Sequence, residues 1–200
     1  MFTDATVNSM LDSQVLDLCS LHTAYSATGA NEVTGGSPAY AKKAITMAAA
    51  GSRARVNSTA PVFDVPAGTT VNFVGIWTNA GTVFKGMVAN GGSEQGFEVG
   101  VTANTIILEG HGLANGQNVV FYGGTPPIGL TEGTVYFVVG VTPGDPDTFQ
   151  VSLTSGGAAI DITAASASHQ CKVSKIVLES FASQGTMTVT SGQLIFGVTE

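Results

Sequence analysis

Three histidines, two cysteines and fourteen acidic side chains are the groups in this 200-residue chain that could carry acid–base, nucleophilic or metal chemistry. His22 sits in SLHTA, and a histidine working as a base needs a nucleophile or carboxylate in a recognised arrangement. No such motif flanks it, so it reads as structural. His111 lies in a glycine-flanked turn, and His169 stands two positions before Cys171 in HQC. A zinc site needs three or four ligands at suitable spacing, and no second cluster accompanies this pair. Asp145 and Asp147 in PGDPD invite a calcium reading, but the alternating acids and distal Glu of a calcium loop are missing and two prolines mark an ordinary turn. GHGLANG is glycine-rich without the Lys and following helix that make a phosphate cradle. Glycoside cleavage needs two carboxylates across a cleft, and no repeat or tunnel-forming pattern singles out a pair. No catalytic, cofactor-binding or metal-ligating residue is therefore assigned, and the chain is not expected to be an enzyme.

Aromatic rings are the other candidates. Trp77, Phe73, Phe84 and Tyr40 would make a sugar-stacking platform on a surface, but in alternating strands such rings belong to a core. Tyr122, Tyr136 and Phe137, close to turns, are the better candidates for a glycan contact.

The elements that must position these groups follow from composition. Charged residues make up 10% of the chain and apolar residues 44%, with 26 glycines. The low charge lies well under the ~25% of an average soluble domain, and abundant Gly, Thr and Val imply short strands joined by tight turns. Thr3 and Asp4 are N-cap types ahead of Val7, Met10 and Leu11 at helical spacing, which predicts one short N-terminal helix. The segment 15–21 reads as extended, 40–50 as ambiguous with a lean to strand, and PVFDVP, TVNFVGIWT and VFKGMVA as strands. Further strands are expected at 105–108, 117–122, 135–141, 148–153 and 159–162. CKVSKIVL and GTMTVTSGQLIFGV close the chain.

Charge placement divides it. From Gly86 to Cys171 there is no Lys or Arg, while seven acids fall in that stretch; the rest of the chain holds seven acids and seven bases. This predicts an acidic β module inserted into a discontinuous β body, because insertions at exposed turns cost little. The fold class is all-β: a sandwich or jelly-roll-like body with one helix, carrying a small barrel or sandwich. The net charge of −7 repels phosphate backbones, so no nucleic-acid partner is expected. No apolar run approaches the ~20 residues that span a bilayer, and the N-terminus lacks a basic and apolar leader pattern, so neither membrane insertion nor secretion is expected. Cys19 and Cys171 read as ordinary buried or half-buried thiols, with an intersubunit bridge as the alternative.

The blocks SLHTAYSATGANEVTGGSPAYAKKAIT (Ser20 to Thr46), FDVPAGTTVNFVGIW (Phe63 to Trp77) and ESFASQGTMTVTSG (Glu179 to Gly192) resemble a family of small bacteriophage tail-fibre or minor tail proteins. In short members of that family the last block follows almost directly on the segment matching VFKGMVA; the resemblance thus implies that the interval from about Gly92 to Lys175 is an insertion, with a discontinuous β body of residues 1–92 and 176–200 and an inserted acidic β module of residues 93–175. TANTIILEGHGLANGQNVVFYG and GTVYFVVGVTPGDPDTFQVSLTSGGAAID resemble a module of phage fibre and appendage proteins. The resemblance implies a non-enzymatic virion protein, assembled in the host bacterial cytoplasm and acting in particle assembly, surface display or host adhesion. It brings no catalytic residues. A capsid decoration protein and a glycan-binding adhesin domain are the alternatives. Expected partners are further copies of the chain, as a homotrimer closing exposed strand edges, other virion proteins, and a host surface glycan. Lys42, Lys43, Arg53 and Arg55 are expected to dock the body on the particle, with the acidic module facing solvent.

Overall fold

The computed structural model describes residues 2–78, 80–92, 94–144, 147–165 and 170–197. The chain is mainly β, 41% strand against 6% helix, as its glycine, threonine and valine content implies. It forms two compact units, Met1–Asn90 with Leu178–Glu200, and Gly91–Val177. The divide lies two residues from the expected 92/93 and 175/176 boundaries. Lys172 and Lys175 thus belong to the second unit, which holds seven acids against two lysines, while the first holds seven against five. The body is accordingly less neutral, and the module less uniformly acidic, than the charge map alone suggests.

In the first unit, helix α1 (Asp4–Asp12) starts at Thr3, whose Oγ1 accepts from the Thr6 N–H, and buries Val7 and Leu11. Met10, expected on the same face, is exposed. Strands β1 (Leu18–His22), β2 (Lys43–Ala44), β3 (Ala54–Val56), β4 (Val62–Val65), β5 (Thr69–Val71), β6 (Phe73–Thr78) and β7 (Val83–Ala89) follow. Residues 40–50 are thus mostly irregular rather than one strand; only β2 and a bridge at Met47 are extended there. β2, β1, β6 and β7 form one antiparallel sheet in that order.

The second unit contributes β8 (Glu94–Gln95), β9 (Glu98–Gly100), β10 (Thr105–Ile107), β11 (Asn118–Tyr122), β12 (Val135–Thr142), β13 (Thr148–Ser152) and β14 (Lys172–Ile176). The chain then returns to the first unit as β15 (Glu179–Phe181), β16 (Gly185–Thr188) and β17 (Ile195–Gly197). These three pair in reverse order with β5, β4 and β3. The last segment is therefore zipped along the first unit and completes its core, which includes Phe63, Val65, Val71, Met187, Val189 and Leu194. A fully buried Phe63 contributes about 1.5–3 kcal/mol by leaving water.

The second unit is a single seven-stranded antiparallel sheet in the order β8-β14-β11-β12-β13-β10-β9. CKVSKIVL, which straddles the expected 175/176 boundary, supplies β14 and lies inside this sheet. Residues 159–162 form no strand; Ile160 and Ile162 instead pack on the core as an extended loop. Laid flat, the sheet's edges would stand about 29 Å apart at ~4.8 Å per strand. Its edge strands β8 and β9 are joined by only Gly96 and Phe97, a reach of at most about 11 Å. The sheet must curl until its edges nearly meet, and residues 94–100 run across the seam, pairing with β14 first and with β10 afterwards. Phe97 closes that seam from within, edge-on to Phe121 at 5.2 Å between ring centroids. Curling shortens the exposed edges that an open sheet would present without pairing them.

Candidate functional site

Ser20 and His22 alternate along β1, so both side chains project from the same face of the strand. Register places Gly75 of β6 opposite Ser20 and Trp77 opposite Leu18. Trp77 Nε1 donates to Ser20 Oγ at 2.6 Å, and Ser20 Oγ lies 2.7 Å from His22 Nε2. His22 Nδ1 lies 2.8 Å from the Ala30 carbonyl oxygen, which can only accept. Nδ1 therefore carries the proton, Nε2 accepts, and Ser20 donates its hydroxyl to it.

A Ser–His hydrogen bond is the local geometry of an activated nucleophile. Here the orienting third group is a neutral carbonyl, and Ser20 and His22 are both 0% exposed. A Cβ on Gly75 would fall 2.5 Å from His22 Nε2 and 2.7 Å from Ser20 Oγ, so the β6 backbone seals the pair. Burial lowers the His22 pKa, with the bond to Ala30 and the charge of Glu32 opposing. The arrangement is a satisfied polar chain across the sheet, and no acyl group can reach Ser20 Oγ in it. No pair motif marks it in the sequence, because Trp77 joins only through strand register.

The aromatic candidates are covered. Phe73 is fully buried, and Trp77 is 9% exposed, edge-on to Phe84 at 5.0 Å with Lys42 Nζ 4.2 Å from its ring centroid. Tyr40 stacks on Phe63 at 5.9 Å, and its hydroxyl accepts from the Leu21 N–H at 2.7 Å. In the second unit Tyr122 and Tyr136 are each 2% exposed, which leaves neither ring as a stacking surface; Phe137 is half-buried.

The four cations expected to dock the body are engaged within the first unit. Lys42 pairs with Glu32 at 2.7 Å, Lys43 with Asp64 at 3.9 Å, Arg53 with Asp4 at 3.5 Å and Arg55 with Asp12 at 3.5 Å. Arg55 also donates to the Leu11, Gln14 and Ala48 carbonyls, so it fastens the C-terminal end of α1. That role leaves it unavailable to a partner.

Asp145 and His169 lie outside the described residues. The Gly144 and Gly110 N–H groups donate to the two carboxylate oxygens of Asp147 and hold it below the usual carboxylate range. It acts as a turn brace. Among the described residues, no group of three or more His, Cys, Asp and Glu side chains could hold a metal ion. Cys19 and Cys171 are free and buried, and burial pushes their thiols up to about 12 and about 11.

Among the clefts of the second unit, neither singled out by the sequence, the more enclosed one lies between β14 and the turn at His111. It encloses about 260 Å³ and is lined by Gln95, Leu108, His111, Leu113, Val173 and Lys175 together with three glycines. His111 Nδ1 accepts from the Leu113 N–H at 2.9 Å, so in the neutral ring Nε2 bears the proton. That Nε2 is buried and finds no partner among the described residues, while the ring packs edge-on against Phe149 at 5.1 Å.

Compared with protein-family models, curated proteins and solved structures, the chain matches none.

Proposed function

We propose that this chain is a non-enzymatic structural protein of a bacteriophage particle, a tail-fibre-like appendage acting in assembly and in surface display or host adhesion. The observation that carries the reading is how the second unit is held. Its entering strand β8 pairs with its leaving strand β14, so the whole curled sheet hangs from two adjacent antiparallel segments. A module attached in this way can be gained or exchanged without disturbing the host domain, as a display element requires.

Self-association, as a homotrimer, belongs to the same proposal. Strand β7, seven residues long, is an outer strand of its sheet, and an edge of that length is a template for another chain. Lys85 lies mid-strand, a charge of the kind that keeps such an edge from indiscriminate pairing. The seven acids of the second unit are cheapest to accommodate where water and salt screen them, which favours that unit facing solvent.

Cryo-electron microscopy of particles that carry this chain tests the role. Density for it at a tail, neck or fibre position in few copies is the expected result. Many copies spread over the shell would instead make it a decoration protein, and its absence from purified particles would end the virion reading.

A further inference from the structure

We propose that the cleft between His111 and Lys175 in the second unit binds the carboxylate of an acidic sugar, one hexuronate-type ring at a time. Its charge is the inverse of its surroundings: the unit carries seven acids against two lysines, yet among the described residues no acid lines the cleft and one of the two lysines does. Lys175 is exposed and makes no ion pair among the described residues.

The remaining polar side chains fit the same class of ligand. His111 Nε2 is a donor, because Nδ1 is already the acceptor for Leu113. An unpartnered buried donor is costly, and a carboxylate oxygen satisfies it with a charge-assisted bond once the His111 ring shifts to bring Nε2, buried in the free chain, to the cleft surface. Gln95 supplies amide donors and an acceptor for a hydroxyl. The half-buried Leu108 and Leu113, backed by the buried Val173, give a small apolar patch suited to the C–H face of a ring. At about 260 Å³ the cleft falls just under the ~300–1,000 Å³ of sites for drug-sized ligands, which selects one ring over an extended chain.

The inference rests on the adhesion part of the reading above only for its biological meaning, because binding is read on the purified chain without a particle. ¹⁵N NMR titration of the full chain with sodium glucuronate, and separately with glucose, decides it. Saturable shifts at the amides of Gln95, Leu113 and Lys175 are expected with glucuronate, and glucose should bind at least about tenfold more weakly. Lys175→Gln, at an exposed position, should keep the dispersed spectrum and weaken glucuronate by about tenfold, the loss of one charge-assisted contact. No saturation with glucuronate, equal binding of glucose, shifts confined to other surfaces, or an unchanged Lys175→Gln affinity would each overturn the assignment. None of these outcomes bears on whether the chain is found on particles.

Discussion

Asn57 Oδ1 accepts from the Leu194 N–H at 2.8 Å, joining two positions 137 residues apart. The same fully buried amide donates to the Thr59 and Thr190 carbonyls at 2.8 and 2.9 Å, and the Asn57 carbonyl accepts from the Gly192 N–H at 2.8 Å. Every hydrogen of the side chain is used, and the turn before β17 is built on it.

Asn57→Ala should therefore destabilise the first unit by roughly 2–3 kcal/mol, since it strands the buried Leu194 N–H and removes the donor from the part-buried Thr59 and Thr190 carbonyls. Urea unfolding followed by fluorescence of the single tryptophan, Trp77, reads this unit directly. A loss below about 1 kcal/mol would mean that these groups find other partners and that Asn57 does not hold the turn.

Stability of the first unit should fall on mild acidification because of His22. Its folded pKa lies below the ordinary 6.5, so between the two values the unfolded chain binds the extra proton. The contribution is complete above pH 6.5 and declines as pH drops through that value towards the folded one. His22→Gln should flatten this part of the stability profile relative to the natural chain. Equal slopes in the two proteins would show that the imidazole is not held neutral between Ser20 and Ala30.

Cys19 and Cys171 should both be silent to a thiol reagent at pH 8, where thiols pushed up to about 12 and about 11 stay protonated as well as shielded. Denaturant should release each thiol with the unfolding transition of its own unit. Fast labelling of either in the native protein would contradict its burial.

Excising residues 91–177 and joining Asn90 to Leu178 through a short glycine linker should leave a folded body. A Cβ on Gly91 would fall 2.8 Å from the Val177 side chain, so the ends of the removed unit lie together. A cooperative thermal transition with the Trp77 signal retained is the expected result. Loss of that transition would mean that the two units share one cooperative core.

The all-β class was legible in the sequence because β-branched and aromatic runs such as FVGIW and NVVFY are bounded by Gly, Asn and Pro turns, and these runs became β6 and β11. What stayed hidden depends on distant pairing. Nothing local in GTMTV says that it lies beside VFDV, and two-residue strands such as β8 carry no periodicity at all. CKVSKIVL is cut at 175/176 by the expected boundary, whereas its membership is set by the ladder to β11, which continues to Ile176. The site shows the same limit. His22 and Ser20 sit two apart on one strand and their alternation is visible, but the covering Gly75 and the donor Trp77 arrive only with the register of β6. Of the cleft, the glycine-flanked turn at His111 is visible in the sequence, while Lys175 comes from a strand more than sixty residues further on.

The pairing of β8 with β14 also fixes how the second unit meets a mechanical load. Tension that draws Gly91 away from Val177 reaches the Glu94–Ser174 pair first and the Gln95–Val173 pair next. The ladder is thus peeled one rung at a time, the weakest way to load an antiparallel ribbon, instead of being sheared along its length with all its bonds in parallel. Behind those rungs lies the seam strand of residues 94–100, so peeling past Gln95 would reach the strand that brings the sheet's two edges together. The junction is a tear strip: it gives way at small force, and it does so at the seam of the sheet.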